Sequence, residues 1–109
     1  MKKSVSLILM AAGIAAADMH VAPSIALAAA SSKPQPEYSP LARQLKVSGD
    51  VSVEVKITTT GEVDTVKVLS GNAMLSTQVV RTVKTWRFKP FEQDGHPTVA
   101  TTVLRFSFK

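Results

Sequence analysis

The stretch that most constrains the fold runs from Leu75 to Pro90 and contains the only tryptophan of the chain. Leu75, Val79, Val83 and Trp86 are spaced four, four and three residues apart, so they share one face of a helix. The opposite face carries the polar side chains Ser76, Arg81 and Lys84. Pro90 cannot continue a helix and favours an extended residue before it. We therefore predict an amphipathic helix whose last turn contains Trp86, followed directly by a strand.

A tryptophan on the apolar face of a helix is typical of a small hydrophobic core, because burial of so large a ring dominates such a core. The chain has 109 residues, enough for one domain, and no cysteine. Without disulfides, a domain of this size is stabilised by core packing or by a partner. The predicted core residues are Leu75, Val79, Val83, Trp86, Phe88 and Phe106.

The N-terminal residues 1–30 have the pattern of an export signal. Lys2 and Lys3 form a positive n-region, and an uncharged apolar segment follows over residues 5–17. The patterns Ala26-Leu27-Ala28 and Ala28-Ala29-Ala30 then predict cleavage after Ala28 or Ala30. The alternative is an uncleaved inner-membrane anchor. Asp18 argues against an anchor, because it ends the apolar run, which is then shorter than the ~20 residues that span a bilayer.

Two further segments divide the rest of the chain. Residues 31–39 are rich in serine and proline, which predicts an extended, solvated linker. Residues 40–109 then form the domain. Ser39 and Pro40 are suited to the N-cap and first turn of a short helix, which we expect to run to about Lys46 and to end by Gly49.

Three strands are predicted from apolar alternation. Residues 50–58 place valine and isoleucine at every second position, which indicates a strand with one buried face. A turn containing Gly61 leads to a second strand over residues 62–70, whose phase slips and therefore predicts a bulge near Asp64 or Thr65. Asp94 and Gly95 predict a tight turn before the last strand, residues 98–108.

The predicted order is short helix, strand, strand, long helix, strand. Both helices are expected to cover one face of a small three-stranded antiparallel sheet. This gives an α+β fold of two layers with ββαβ order.

Several short motifs resemble the C-terminal domain of TonB-family proteins. They are Tyr38-Ser39-Pro40-Leu41-Ala42-Arg43, Thr60-Gly61-Glu62-Val63, Ser70-Gly71-Asn72, Trp86-Arg87-Phe88-Lys89-Pro90 and Asp94-Gly95-His96-Pro97. The resemblance covers about residues 36–108. Its motif order agrees with the ββαβ order obtained from periodicity.

The resemblance implies a periplasmic protein-binding module of outer-membrane transport. In the family, a short receptor segment is added as a strand to the edge of the domain's sheet, a mode in which main-chain groups supply affinity. The last strand is the expected edge, because nothing follows it in sequence. The expected partner-binding residues are Val99, Thr101, Val103, Arg105 and Ser107.

The chain departs from the family pattern at its N-terminus, where the segment looks cleavable and the linker is short. An inner-membrane motor complex is therefore an expected partner only if the N-terminal segment is retained. The alternative function is a stand-alone envelope protein of the same fold, which binds another periplasmic protein or forms a homodimer.

Other classes of function receive little support from the sequence. The net charge of +5 is spread among alternating signs without a basic run, so nucleic acid is not an expected partner. The chain has no cysteine nucleophile, and no Gly-x-Ser-x-Gly motif activates a serine. His96 lies in a predicted turn and lacks fixed partners for a metal. We therefore expect neither enzymatic activity nor a cofactor.

Overall fold

The computed structural model describes residues 18–109. The predicted n-region and apolar segment of the export signal lie outside the described residues. The elements in chain order are β1 (Met19–His20), α1 (Pro23–Ala29), β2 (Ala30–Ser32), α2 (Pro40–Gln44), β3 (Gly49–Ile57), β4 (Val63–Ser70), α3 (Ala73–Val83), β5 (Arg87–Phe88), β6 (Glu92–Gln93), β7 (His96–Pro97) and β8 (Ala100–Phe108).

The main sheet has the strand order β1-β8-β3-β4. Strand β3 lies between β8 and β4 and pairs antiparallel with both of them. Its four apolar side chains on the inner face are fully buried: Val51, Val53, Val55 and Ile57. The predicted three-stranded sheet is wrong in size, because β1 adds a short fourth strand parallel to β8. A strand of two residues is too short to produce an alternation signal.

The phase slip in the second strand corresponds to a bulge at Asp64. Lys56 pairs with Thr65, whereas the next residue, Ile57, pairs with Val63, so Asp64 is the extra residue. The predicted bulge is confirmed. It places the apolar residues of β4 opposite the buried residues of β3.

Helix α3 is shorter than the sequence predicts. Asn72 caps its N-terminus by accepting a hydrogen bond from the Met74 N–H at 2.8 Å. At the C-terminus the N–H groups of Thr85 and Trp86 donate to carbonyls three residues earlier, so the helix tightens into turns after Val83. Trp86 therefore follows the helix and does not lie in its last turn. Ser76, expected on the polar face, is buried and donates to the Ala73 carbonyl oxygen.

The second layer covers the inner face of the sheet. Helix α3 packs on β3 and β4, and α1 packs on β8. Leu75, Val79, Val83 and Trp86 are at most 1% exposed. Phe88 is also buried, whereas Phe106 is half-buried and contacts Trp86 edge-on, with ring centroids 5.8 Å apart. The architecture is thus a mixed α+β fold with its core between the sheet and the helices.

Thr102 offers a test of this core. Its side chain is 2% exposed, and its hydroxyl oxygen has no hydrogen-bond partner among the described residues. A buried hydroxyl without a partner costs free energy, so Thr102→Val is expected to stabilise the domain by about 1 kcal/mol. Urea denaturation followed by Trp86 fluorescence measures this change. Thr102→Ser, which keeps the hydroxyl and loses the methyl group, should lower the midpoint. A lower midpoint for Thr102→Val would show that the hydroxyl has a partner in solution.

Candidate functional site

The candidate site is the outer edge of β8. Strand β8 pairs with β3 from Gly49↔Phe108 to Ile57↔Ala100 without a register shift. In an antiparallel ladder, the backbone groups of alternate residues point toward the two neighbouring strands in turn. The carbonyl oxygens of Val99 and Thr101 accept hydrogen bonds from β1 and the residue after it, so odd-numbered residues point to the outer edge.

The five predicted partner-binding residues are all odd-numbered and therefore lie on this edge. Val103, Arg105 and Ser107 have exposed side chains, and Thr101 is half-buried. Val99 is half-buried and precedes the first residue of β8. The Ser107 hydroxyl donates to Asp50 Oδ1 at 2.7 Å, so its side chain is held against β3.

Part of this edge is occupied by residues 19–21, which carry no periodic signal in the sequence. The N–H of Met19 donates to the Val99 carbonyl oxygen at 2.8 Å, and the N–H of Val21 donates to the Thr101 carbonyl oxygen at 2.9 Å. The expectation that β8 is a sheet edge is therefore wrong at its first residues. Over residues 103–107, no strand of the described chain pairs with the outer side of β8.

A groove of about 280 Å³ lies beside the second half of β8. Residues Gln35, Pro36 and Tyr38 form one wall, and residues 105–109 form the other. Two cationic side chains, Arg105 and Lys109, line it, and none of its lining side chains is a carboxylate. The groove therefore carries positive charge from Arg105 and Lys109, with the Asp50 carboxylate next to its lining residue Ser107.

The wall formed by residues 34–38 is attached to the domain by aromatic side chains. The Trp86 indole N–H donates to the Pro34 carbonyl oxygen at 2.9 Å. Tyr38 donates its hydroxyl to the Val47 carbonyl oxygen and packs edge-on against Phe108, with ring centroids 5.6 Å apart. The segment expected to be a solvated linker is extended but docked. Its one sequence signal is Tyr38, the single aromatic residue between Ser31 and Ser39.

The opposite edge of the sheet, β4, has a different geometry. Its register with β3 shifts in two places, and Asp64 and Leu69 are the extra residues. Bulges of this kind twist an edge strand and interrupt the even spacing that an added strand requires. The part of β8 beyond β1, residues 103–107, therefore has a regular edge, whereas β4 does not.

Two other types of site, a metal centre and a membrane-spanning helix, are absent from the part of the chain that the structure describes. Within residues 18–109, no group of three His, Cys, Asp or Glu side chains is placed to hold a metal ion. None of the helices described here is both long enough and apolar enough to cross a membrane. His96 is exposed in the β6–β7 hairpin, on the tight turn that the sequence predicts at Asp94 and Gly95.

Comparisons with known proteins bear on this geometry. Residues 34–109 match the family model described as the Gram-negative bacterial TonB protein C-terminal. The chain is 35% identical over 63 residues to Protein TonB of Escherichia coli (strain K12), an alignment that covers 56% of this chain and 26% of that protein. The solution NMR structure of Pseudomonas aeruginosa TonB CTD has a TM-score of 0.64 and 27% identity, covering 73% of this chain and 83% of that one.

The family match begins at Pro34, the residue whose carbonyl oxygen binds Trp86. It includes the docked segment, the groove and all of β8. The resemblance inferred from the sequence motifs is confirmed. This chain belongs to the TonB C-terminal domain family.

Proposed function

We propose that this chain is a periplasmic binding module of outer-membrane transport. It takes up an extended segment of an outer-membrane receptor as a new strand along the outer edge of β8. The family membership supports the type of partner, and the edge geometry supports the mode of binding.

The observation that best supports the proposal is that a strand, β1, already pairs with the outer edge of β8. Two of its outward carbonyl oxygens bind N–H groups at 2.8 and 2.9 Å. The next outward positions, 103, 105 and 107, continue the same unshifted ladder. A partner strand can therefore extend along the edge through main-chain hydrogen bonds that place few demands on its sequence.

Side chains on the outer face provide the means of selecting a partner. Val103 is 40% exposed and offers an apolar contact. Arg105 and Lys109 give the adjoining groove a positive charge. Charge complementarity at such a rim mainly affects the association rate and the choice of partner, so an acidic receptor segment is favoured.

The direct test is a titration of the ¹⁵N-labelled full chain with peptides from the plug N-termini of outer-membrane receptors. We expect the largest amide shift changes in residues 99–107. Changes confined to the β6–β7 hairpin or to α2, with β8 unaffected, would contradict strand addition.

A proline substitution separates edge binding from folding. Val103→Pro removes an N–H that points outward and places a ring where the partner strand must lie. The ladder to β3 keeps its bonds, because those use the even-numbered residues of β8. We expect peptide affinity to fall at least tenfold, with a smaller effect on stability.

Val68→Pro is the matched control. Val68 is also a valine, is also 40% exposed, and lies on β4, the opposite edge strand. Proline at this position should leave peptide affinity within about twofold of wild type. Equal losses of affinity for both variants would indicate a general effect on the sheet and would contradict the assignment of β8 as the binding edge.

A further inference from the structure

The segment before the matched domain lies on the proposed binding edge. Strand β1 runs parallel to β8, with Met19 opposite Ala100 and His20 opposite Thr101. It uses the outward carbonyl oxygens of Val99 and Thr101, two of the five outward positions of the edge. A partner strand that runs along the full edge meets this segment at its end.

Residues 18–29 are held against the domain by contacts of their side chains and main chain. Val21 is 8% exposed and Ala26 is fully buried against the core. Asp18 forms an ion pair with Lys56 on β3, with Nζ and Oδ2 3.8 Å apart. At the far end, the Lys89 N–H donates to the Ala29 carbonyl oxygen at 2.9 Å. The segment thus contacts the domain at both ends and is buried in its middle.

We propose that residues 18–29 are an internal ligand of the β8 edge, and that a receptor segment must displace them to bind along its full length. This inference rests on the proposed function of the edge. The occupant is a segment of the chain itself, extended over β1 and anchored by α1. It competes for main-chain groups and therefore blocks receptor segments regardless of their side chains.

Proteolytic processing provides a route to the open state. The predicted cleavage after Ala28 or Ala30 falls at the end of α1. It separates β1 and α1 from the family-matched residues 34–109, so that only noncovalent contacts retain them. Processing then exposes the full edge, whereas the unprocessed chain keeps it partly covered.

The fraction of molecules in which β1 lies on the edge determines how much the apparent Kd for a partner strand is raised. If nine of ten molecules hold β1 on the edge, the apparent Kd for a full-length partner strand is raised about tenfold, since only the open fraction binds. A substitution that releases β1 should lower the apparent Kd by about the same factor.

Two substitutions at neighbouring positions of α1 form a matched pair. Ala26→Glu places a charge at a fully buried position and should release α1 and β1, whereas Ile25→Glu places the same charge at a position that is 59% exposed. In the full chain, we expect fluorescence anisotropy with a labelled receptor peptide to show about tenfold tighter binding for Ala26→Glu than for wild type. Ile25→Glu should bind as wild type does. Trp86 fluorescence checks that the domain stays folded.

A disulfide between β1 and β8 tests the same idea without altering the core. The chain has no cysteine, so the double substitution His20→Cys and Thr101→Cys forms an unambiguous crosslink between register partners. Oxidation should lock β1 on the edge and weaken peptide binding to what residues 103–107 support alone, and reduction of the same variant should give tighter binding. Both forms carry the Thr101 substitution, so its own effect on the peptide cancels in this comparison. Wild type should bind equally under both conditions.

The outcomes separate this inference from the proposed function. If the crosslink does not form, or if the fully crosslinked chain binds the peptide as tightly as its reduced form, β1 is not a competitor, although the function stands. If the crosslink forms but the peptide binds to neither the reduced form nor Ala26→Glu, the proposed function fails and the competition for a receptor fails with it.

Discussion

Gly61→Ala is expected to lower the free energy of unfolding by about 3–5 kcal/mol, a large effect for a single methyl group. Gly61 has φ of +92°, a conformation that residues with a side chain rarely adopt. A Cβ atom at this position would lie 1.9 Å from the Phe88 carbonyl oxygen. Since the obstacle is backbone, β5 must move away, and the 2.9 Å hydrogen bond from the Phe88 N–H to the Gly61 carbonyl oxygen is lost.

Gly95→Ala isolates the steric part of this effect. Gly95 also has a positive φ, +79°, but a Cβ atom added there would have no neighbouring atom within 4 Å. Only backbone strain applies there, which costs about 1–2 kcal/mol. Urea denaturation followed by Trp86 fluorescence compares the two variants. Equal losses of unfolding free energy in the two variants would show that the contact between β5 and Gly61 adds nothing to the cost of the backbone conformation.

The parts of the fold that follow from local pattern could be predicted from the sequence. Strict alternation in β3 identifies a strand with a buried face, because side chains of a strand point to opposite faces in turn. The phase slip in β4 identifies the bulge at Asp64, since an extra residue is what returns its valines to one face. Both signals lie within ten residues and need no knowledge of distant contacts.

The parts that depend on distant contacts could not be predicted. Residues 19–20 have no periodic signal, and their position on β8 depends on main-chain bonds to residues about 80 positions later. The docking of residues 34–38 likewise depends on an indole N–H far along the chain. Composition alone favoured a solvated linker, because proline and serine-rich segments lack the apolar surface that indicates packing.

The candidate site could be predicted in part from local pattern, whereas the strand that pairs with it depends on distant contacts. Alternation in residues 98–108 shows which side chains share the outer face of the sheet. The five predicted partner-binding residues on that face are also the ones whose main-chain groups point to the outer edge. The position of β8 along the chain does not identify the strand that pairs with its outer side. A strand can pair with a segment about 80 positions earlier in the sequence, as Met19 and Ala100 show.

Trp86→Ala is the second large expected effect. Trp86 is 1% exposed and contacts Phe88 and Phe106, with ring centroids 6.0 and 5.8 Å away. Loss of a large buried aromatic side chain costs about 3–5 kcal/mol, through the transfer term and the cavity that remains. Because domains of this size are stable by about 5–15 kcal/mol, the variant should be largely unfolded in mild denaturant. Far-UV circular dichroism measures the midpoint, since the variant lacks the fluorescent ring.

Trp86→Phe distinguishes the two roles of this residue. Phenylalanine keeps most of the buried ring but cannot donate to the Pro34 carbonyl oxygen, so the docked segment loses its hydrogen bond while the core stays filled. We expect the global midpoint to fall far less than in Trp86→Ala, whereas the backbone amide chemical shifts of Gln35 and Glu37 should move toward random-coil values. The groove beside β8 loses its fixed wall in this variant, so peptide affinity should also fall. Unchanged amide shifts at Gln35 and Glu37 and unchanged peptide affinity in Trp86→Phe would mean that Tyr38 alone holds the segment and that Trp86 acts on the core only.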